Sequence, residues 1–324
     1  MRVCTAASLV GLVALGACAY DRPALGGDAE VVDDGPRPDG ADGSAPDGAA
    51  PDGPSGDRDG DGFNNLDDNC PDLFNLHQDD ADGDRIGDVC DLCPQRVNIG
   101  RQLNSDGDDL DDSCGDPDTG SRQCITWFDG FGDGRTLSSY TRFGGMWRIA
   151  DGALVQTSPT ASAYVGLQQG WVRPRVQTSV EILSLGSGPT TYMVGPATDV
   201  GALVSDEPDG YFARFNRGST ALRSALTINE QRSGRPHLTS TASATPLAIG
   251  VGVELVLDTR TPLLAVAELT GVEPPIVTSS VTAIGTTTAD GGVGLFTVSL
   301  TARFDYFMVI ADATDERCPP RVEP

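Results

Sequence analysis

Apolar positions fall along this chain in three unlike patterns. Near the start, Arg2 precedes an apolar, small-residue stretch from Ala6 to Ala17. That stretch is too short to cross a bilayer as a helix and has the form of an export signal. From residue 19 to residue 121 large apolar side chains are sparse and carboxylates are dense. From residue 122 onward, Val, Ile, Leu, Thr and aromatic residues alternate in short runs parted by Gly, Pro, Asp and Asn. Such runs include Met146–Ala150, Ala153–Thr157, Val176–Leu183, Tyr211–Phe215, Leu222–Ile228, Val251–Asp258, Leu263–Leu269, Val293–Thr297 and Phe304–Ile310. Turns at Ala150-Asp151-Gly152 and Pro208-Asp209-Gly210 separate some of them. A period of two predicts strands, and no window carries a convincing 3.6-residue apolar period. About a dozen short strands predict an all-β, antiparallel sandwich over residues 122–318.

Charge sharpens these divisions. The 324 residues hold 47 Asp+Glu and 22 Lys+Arg, a net charge of −25. The basic residues are all Arg, which removes any P-loop or Schiff-base lysine. Residues 19–121 carry 28 acids against 6 Arg, or −22, whereas residues 122–324 carry 19 against 15, or −4. A chain this acidic repels a phosphate backbone, so nucleic acid is not an expected partner.

The end of the apolar stretch reads Leu15-Gly16-Ala17-Cys18. It resembles the bacterial lipobox, which implies a signal peptide over 1–17 and a lipidated Cys18 as the first mature residue. Cleavage after Ala19 is the competing reading, since Ala17-Cys18-Ala19 is also a small-x-small site. Ala19 stands where inner-membrane lipoproteins often carry Asp, so the resemblance implies the outer membrane, on its periplasmic or cell-surface side. Several acyl chains on one Cys would anchor the chain stably. Residues 18–56, with Pro-Asp-Gly recurring at Pro38, Pro46 and Pro51, predict a disordered tether.

Residues 57–118 carry the sharpest pattern. Asp57, Asp59, Asp61 and Asp68 stand at positions 1, 3, 5 and 12 of a loop, with Gly62 at 6 and Asn65 at 9. Calcium takes six to eight oxygens, and alternating carboxylates on a tight loop supply them around one point, with the Phe63 carbonyl at position 7. A second loop places Asp80, Asp82, Asp84, Asp88 and Asp91 at 1, 3, 5, 9 and 12, and Ile86 at 7. Arg85 occupies its position 6, where the sharp turn favours Gly. A third copy has Asn104, Asp106, Asp108 and Asp112 at 1, 3, 5 and 9, with Gly115 in place of the closing carboxylate. So many close carboxylates repel one another without a cation. The segment is therefore expected to be ordered with calcium and loose without it, and to serve as a stiff spacer.

The cysteines share this period: Cys70-Pro71 recurs as Cys93-Pro94, and Asn75 recurs as Asn98. The run Asp68-Asn69-Cys70-Pro71, Asn75, Gln78 and Asp80 to Asp91 resembles a thrombospondin type 3 repeat. That resemblance implies calcium as the organising ion and the pairs Cys70–Cys90 and Cys93–Cys114; four cysteines alone would allow three connectivities. Cys124 and Cys318 flank the sandwich without other partners and are paired in turn. Cys4 goes with the signal.

The wording of residues 122–311 resembles the concanavalin A-like jelly rolls that include laminin G-like domains. It includes Trp127-Phe128-Asp129, Gly145-Met146-Trp147-Arg148-Ile149, Gly292-Val293-Gly294-Leu295-Phe296 and Ala302-Arg303-Phe304-Asp305-Tyr306. The resemblance implies a fold and no single activity. A retaining glucanase of this type carries Glu-x-Asp-x-x-Glu, and no such run occurs: Glu181, Glu254 and Glu268 stand apart. His237, in an apparent loop, is the one imidazole of the domain, and no Cys is left for nucleophilic chemistry. The expectation is thus a non-catalytic head that binds a polysaccharide or a surface or matrix protein. A glycan hydrolase with an atypical carboxylate pair and a structural envelope spacer are the alternatives. Trp127 and Trp147 are expected in the core. Trp171, between Gly170 and Arg173-Pro174-Arg175, is the expected surface aromatic, with Asp206, Glu207 and Asp209 as a polar rim or a further cation loop.

Overall fold

The computed structural model describes residues 56–98, 102–115, 122–132, 136–159, 162–187, 191–201, 209–218, 224–232, 235–243, 247–261, 264–271, 276–282, 291–312 and 315–318. The signal at 1–17, Cys18, the tether up to residue 55, Asp206 and Glu207 lie outside them.

Among the described residues, fifteen strands succeed one another after residue 122. They are β1 (Gln123–Asp129), β2 (Thr141–Phe143), β3 (Trp147–Ile149), β4 (Leu154–Gln156), β5 (Ala163–Leu167), β6 (Arg175–Leu185), β7 (Thr191–Val200) and β8 (Gly210–Gly218), then β9 (Ser224–Arg232), β10 (Arg235–Ser243), β11 (Gly252–Asp258), β12 (Leu264–Thr270), β13 (Ile276–Thr282), β14 (Gly292–Val298) and β15 (Leu300–Asp312). One sheet runs β13-β12-β11-β6-β15-β4-β3, with β1 also paired to β15, and the other runs β10-β9-β8-β7-β14-β5-β2. Every pairing is antiparallel, and β6 to β7 and β14 to β15 cross between the sheets, which is the two-layer sandwich of a jelly roll. His237 lies within β10, not in a loop as its polar neighbours suggest.

The period-two reading holds where one strand face meets solvent. In β12, Ala265, Ala267 and Leu269 point inward and the residues between are half-buried. Inner faces of both sheets meet in one core, with Val180, Ile182, Leu255 and Phe304 from one and Val165, Val194, Phe215, Leu226 and Leu295 from the other. Each such side chain contributes about 1.5–3 kcal/mol on burial. β5 and β14 are buried on both faces and therefore read as nearly continuous apolar runs. Their outer faces join a second cluster of Tyr164, Ala197, Val200, Phe212 and Phe296. Between β3 and β4, Asp151 and Gly152 both have positive φ, which closes a two-residue hairpin.

β1 lies along β15, from Gln123 opposite Asp312 to Asp129 opposite Phe307. That pairing puts the first and last strands side by side, and Cys124–Cys318 bridges them with Cα atoms 5.7 Å apart. Closing a loop of this length stabilises the fold by about 5 kcal/mol on the chain-entropy account.

The acidic repeats share one compact unit with the sandwich, Ala49–Pro324. They lie against the outer face of the eight-stranded sheet. Leu110 is buried among Tyr306, Met308 and Ile310, with Ile125 and Phe128 packed beside it. Arg122 pairs with Asp109 at 2.7 Å, and Arg96 lies 3.6 Å from Glu254. A Cβ on Gly130 would stand 2.4 Å from the Cβ of Ala81, so the second loop and the end of β1 meet at the closest approach that glycine allows.

Candidate functional site

The three acidic loops are built on one hydrogen-bond frame. At position 1, Asp57 accepts from the amides of Gly60 and Gly62, at 2.8 and 3.0 Å. Asp80 repeats this with Gly83 and Arg85 at the same two distances. At position 3, Asp59, Asp82 and Asp106 accept from the amides of Asp61, Asp84 and Asp108. At position 5, Asp61, Asp84 and Asp108 accept from the amides of Phe63, Ile86 and Leu110. At position 9, Asn65, Asp88 and Asp112 accept from Arg58, Ala81 and Ser105. At position 12, Asp68 and Asp91 accept from Cys70 and Cys93. Arg85 meets the turn requirement by adopting φ 79°, a left-handed conformation that costs a non-glycine residue about 1 kcal/mol or more.

The frame uses one carboxylate oxygen at several positions and leaves the other over. Oδ2 of Asp59, Asp68, Asp82 and Asp91 is buried without a hydrogen-bond partner among the described residues. Carboxylate oxygens of Asp57, Asp59 and Asp61 lie within 4.8 Å of one another, and those of Asp80, Asp82 and Asp84 do the same. Burial of the carboxylates pushes Asp88 up to about 7 and Asp82 and Asp91 up to about 6, and neighbouring carboxylates add to the rise. Asp59 and Asp108 are raised for the same reasons. Unpaired buried oxygens of one sign are costly unless a cation neutralises them. An all-oxygen donor set of this kind suits a hard cation. The third loop differs. The Asn104 amide replaces the first carboxylate and donates to the Asp108 carbonyl, while its Oδ1 is buried without a partner among the described residues.

The spare oxygen at position 5 is handed to the next segment each time. Asp61 Oδ2 accepts from the Asn75 amide at 3.2 Å, and Asp84 Oδ2 from the Asn98 amide at 2.9 Å. Asp108 Oδ2 accepts from the Gln123 amide at 3.2 Å, so the first residue of β1 stands where the next repeat would begin. Disulfides Cys70–Cys90 and Cys93–Cys114, with Cα separations of 5.9 and 5.7 Å, tie successive segments together. Asp111, absent from the loop pattern, is buried and accepts from the amides of Leu103 and Ser113. Position 8 carries no acid in the other loops, so spacing held no sign of it.

On the sandwich, the expectation of a surface tryptophan is corrected. Trp171 is 1% exposed and belongs to the core. Its indole donates to Thr126 Oγ1 at 3.0 Å, and the Arg317 guanidinium covers its ring at 4.5 Å. Of the neighbours that suggested a surface site, Arg173 and Arg175 are half-buried and Pro174 is buried, and the indole itself turns under β1. Trp147 is in the core and Trp127 packs against it. Asp209 is exposed at the start of β8.

Two outer faces carry polar chemistry that spacing did not reveal. On the seven-stranded sheet, Phe212 and Phe296 meet edge to face at 5.3 Å, with the Arg214 guanidinium over both, at 5.0 and 5.7 Å. Tyr164 lies in the same cluster, its hydroxyl buried without a partner among the described residues, beside Gly166 and Gly294, where a Cβ would stand 2.4 and 2.5 Å from it. Burial pushes that phenol far above its ordinary range. On the eight-stranded sheet, Glu254 accepts from the Tyr306 hydroxyl at 2.7 Å, from Gln177 and from Thr270.

No protein-family model matches this chain, and no curated sequence does. Solved structures of similar form include the carbohydrate-binding module CBM66 from Bacillus subtilis, at 13% identity over 51% of this chain and 91% of that one, with a TM-score of 0.40. The carbohydrate recognition domain of Emp47p gives 11% identity, 60% and 98% coverage and a TM-score of 0.45. A galectin-like-fold protein from Bacillus subtilis gives 12%, 57% and 95%, and 0.42. Likenesses this distant carry no argument about what the chain binds.

Proposed function

We propose that this chain is an exported calcium-binding protein whose jelly-roll head binds glycan without catalysis. One observation carries the calcium reading: two loops repeat the same frame and each leaves buried carboxylate oxygens, Asp59 with Asp68 and Asp82 with Asp91, without a partner. Asp57, Asp59, Asp61 and Asp68 would hold one ion, and Asp80, Asp82, Asp84 and Asp91 another. The lipobox-like Leu15 to Cys18 supports an outer-membrane anchor.

The outer face of the seven-stranded sheet supports glycan binding by the head. The Phe212, Phe296 and Tyr164 rings are themselves buried, so contact with a glycan would fall to the half-exposed side chains around them, where a guanidinium bonds hydroxyl and carboxylate oxygens. Phe143, Met193, Val298 and Arg214, each half-buried, rim that face. Glu254 does not favour hydrolysis. It is held by three donors and faces Arg96, with no second carboxylate placed opposite it among the described residues.

The test is isothermal titration with calcium alongside retention on a polysaccharide panel, with newly released reducing ends measured. Saturable calcium binding, and retention without cleavage that Arg214→Ala reduces, are expected. Absence of calcium binding would end the first reading, and cleavage would end the second.

A further inference from the structure

We propose that a hollow in the acidic repeats is a docking site for a cationic protein segment, one that carries an aliphatic or aromatic side chain flanked by Lys or Arg. Phe74 and Leu76, 57% and 54% exposed, and Val89, 44% exposed, line a hollow of about 280 Å³. His77, Gln78 and Asp79 complete one wall of it. Large apolar side chains are sparse in the repeats, yet seven of the twelve that are exposed among the described residues lie between Phe63 and Leu103. A single exposed apolar residue is ordinary, whereas three around one hollow mark a binding surface. The hollow is also held in shape. Gln78 donates from Nε2 to Asp61 Oδ2 at 3.1 Å and to Asp68 Oδ1 at 2.9 Å, and its Oε1 accepts the Asn69 amide at 2.9 Å. The Asn75 amide bonds Asp61 as well, and Cys90, next to Val89, is bridged to Cys70. A segment that docks here therefore meets little ordering cost on the receiving side.

The repeat period shows that the hollow belongs to one unit. Phe74 stands four residues after Cys70, and Val89 stands at position 10 of the second loop. One period on, the same places hold Val97 and Ser113, and there the Arg96 guanidinium donates to the Ser113 carbonyl at 2.7 Å. The second unit thus puts a hydroxyl and a cation where the first puts an apolar wall.

Charge selects the occupant. Residues 56–115 hold 17 acids against 4 Arg, or −13, and the two calcium ions proposed above would leave −9. Asp67, Asp72 and Asp79 are exposed on the stretch that carries the hollow. A second copy of the chain brings the same charge, and like charge at this density opposes pairing. Residues 19–55 hold nine acids against two Arg, with Tyr20 as their one aromatic, so they match the hollow no better. A cationic segment is drawn in by the acidic field and kept by the apolar contact.

The mature chain, with disulfides formed and calcium present, would be titrated calorimetrically with a synthetic peptide of alternating Leu and Arg. Saturable binding is expected. Phe74→Ser or Val89→Ser should weaken it by about tenfold or more. Leu66→Ser, an exposed position of the same segment outside the hollow, should leave it within about twofold. All three substitutions keep the charge, so a loss confined to the first two cannot come from the acidic field. Unchanged amide exchange across Asp80–Asp91 will show that the variants keep the repeats folded. The same peptide with Ser for Leu should bind about tenfold more weakly, and one with Glu for Arg should not bind. Absence of binding by the Leu–Arg peptide would overturn the proposal. So would equal binding of the Ser peptide, or equal weakening by Leu66→Ser, since either makes charge alone the cause. Self-association in sedimentation that Phe74→Ser abolishes would give the hollow to a second copy and overturn it as well. The hollow is built by the repeats, so a head that fails to bind glycan leaves this proposal standing.

Discussion

Calcium affinity at the second loop will fall by about 100-fold between pH 7.5 and pH 5.5. Without metal, burial and neighbouring carboxylates raise Asp88 to about 7 and Asp82 and Asp91 to about 6. Treated independently, the three groups hold about 0.3 protons at pH 7.5 and about 2.5 at pH 5.5. Calcium must displace those protons, and the competition alone weakens binding roughly 400-fold. Solvent reaches the half-buried Asp82 and Asp88 and screens part of the shift, which brings the expectation to about 100-fold. The sign for stability obeys the same logic. A raised carboxylate pKa means that the metal-free fold binds protons which the unfolded chain does not. The metal-free repeats therefore lose stability as pH rises from about 4 through 7, whereas the loaded repeats, deprotonated like the unfolded chain, hold theirs. Titration calorimetry at three pH values, in buffers of different ionisation enthalpy, gives both the affinity and the protons released per ion. Carboxylates with ordinary values near 4 would leave affinity flat across this range, and a flat profile refutes the reasoning. Asp88→Asn should weaken binding at pH 7.5 and shallow the profile.

Arg85→Gly relieves the left-handed strain at the turn of the second loop. It should tighten calcium there by up to about 1 kcal/mol, near fivefold, read by competition with a calcium indicator. Leu110→Ala empties the buried contact on β15 and should cost about 2–5 kcal/mol in urea unfolding monitored by tryptophan emission. Trp171→Ala should cost about 3–5 kcal/mol by the same assay, yet leave glycan retention of the folded protein intact, because the indole is core. Gly130→Ala forces a methyl against Ala81 and should loosen the second loop from the sheet, seen as faster amide exchange at Ala81–Asp84.

The repeats were the most legible part of the chain, because carboxylate spacing is itself the geometry of a loop. Positions 1, 3, 5, 9 and 12 read directly onto the frame. The sandwich was legible as strands but not as surfaces. Alternation tells that a residue faces one side and not what covers that side. Trp171 misled for this reason: its neighbours are polar, and a strand 45 residues earlier in the chain supplies the Thr126 hydroxyl that holds its indole. Glu254 stood alone in the sequence because its partners Gln177, Thr270 and Tyr306 lie on three other strands. The docking of the repeats on the sheet had no local sign either. Leu110 is one isolated apolar residue in an acidic run, and its partners lie near 125 and 306–310.

The handover from Asp61 to Asn75, from Asp84 to Asn98 and from Asp108 to Gln123 makes the sandwich a replaceable terminus. Each segment presents the same acceptor to its successor, and the successor needs only a free amide at that point. Such a chain can lengthen or shorten by whole repeats without rebuilding its joints. A partial repeat would present the wrong oxygen to the sheet and leave the junction open. Growth in this architecture is therefore counted in units, and the loop that touches the head must keep Asp108 and Leu110 however many copies precede it.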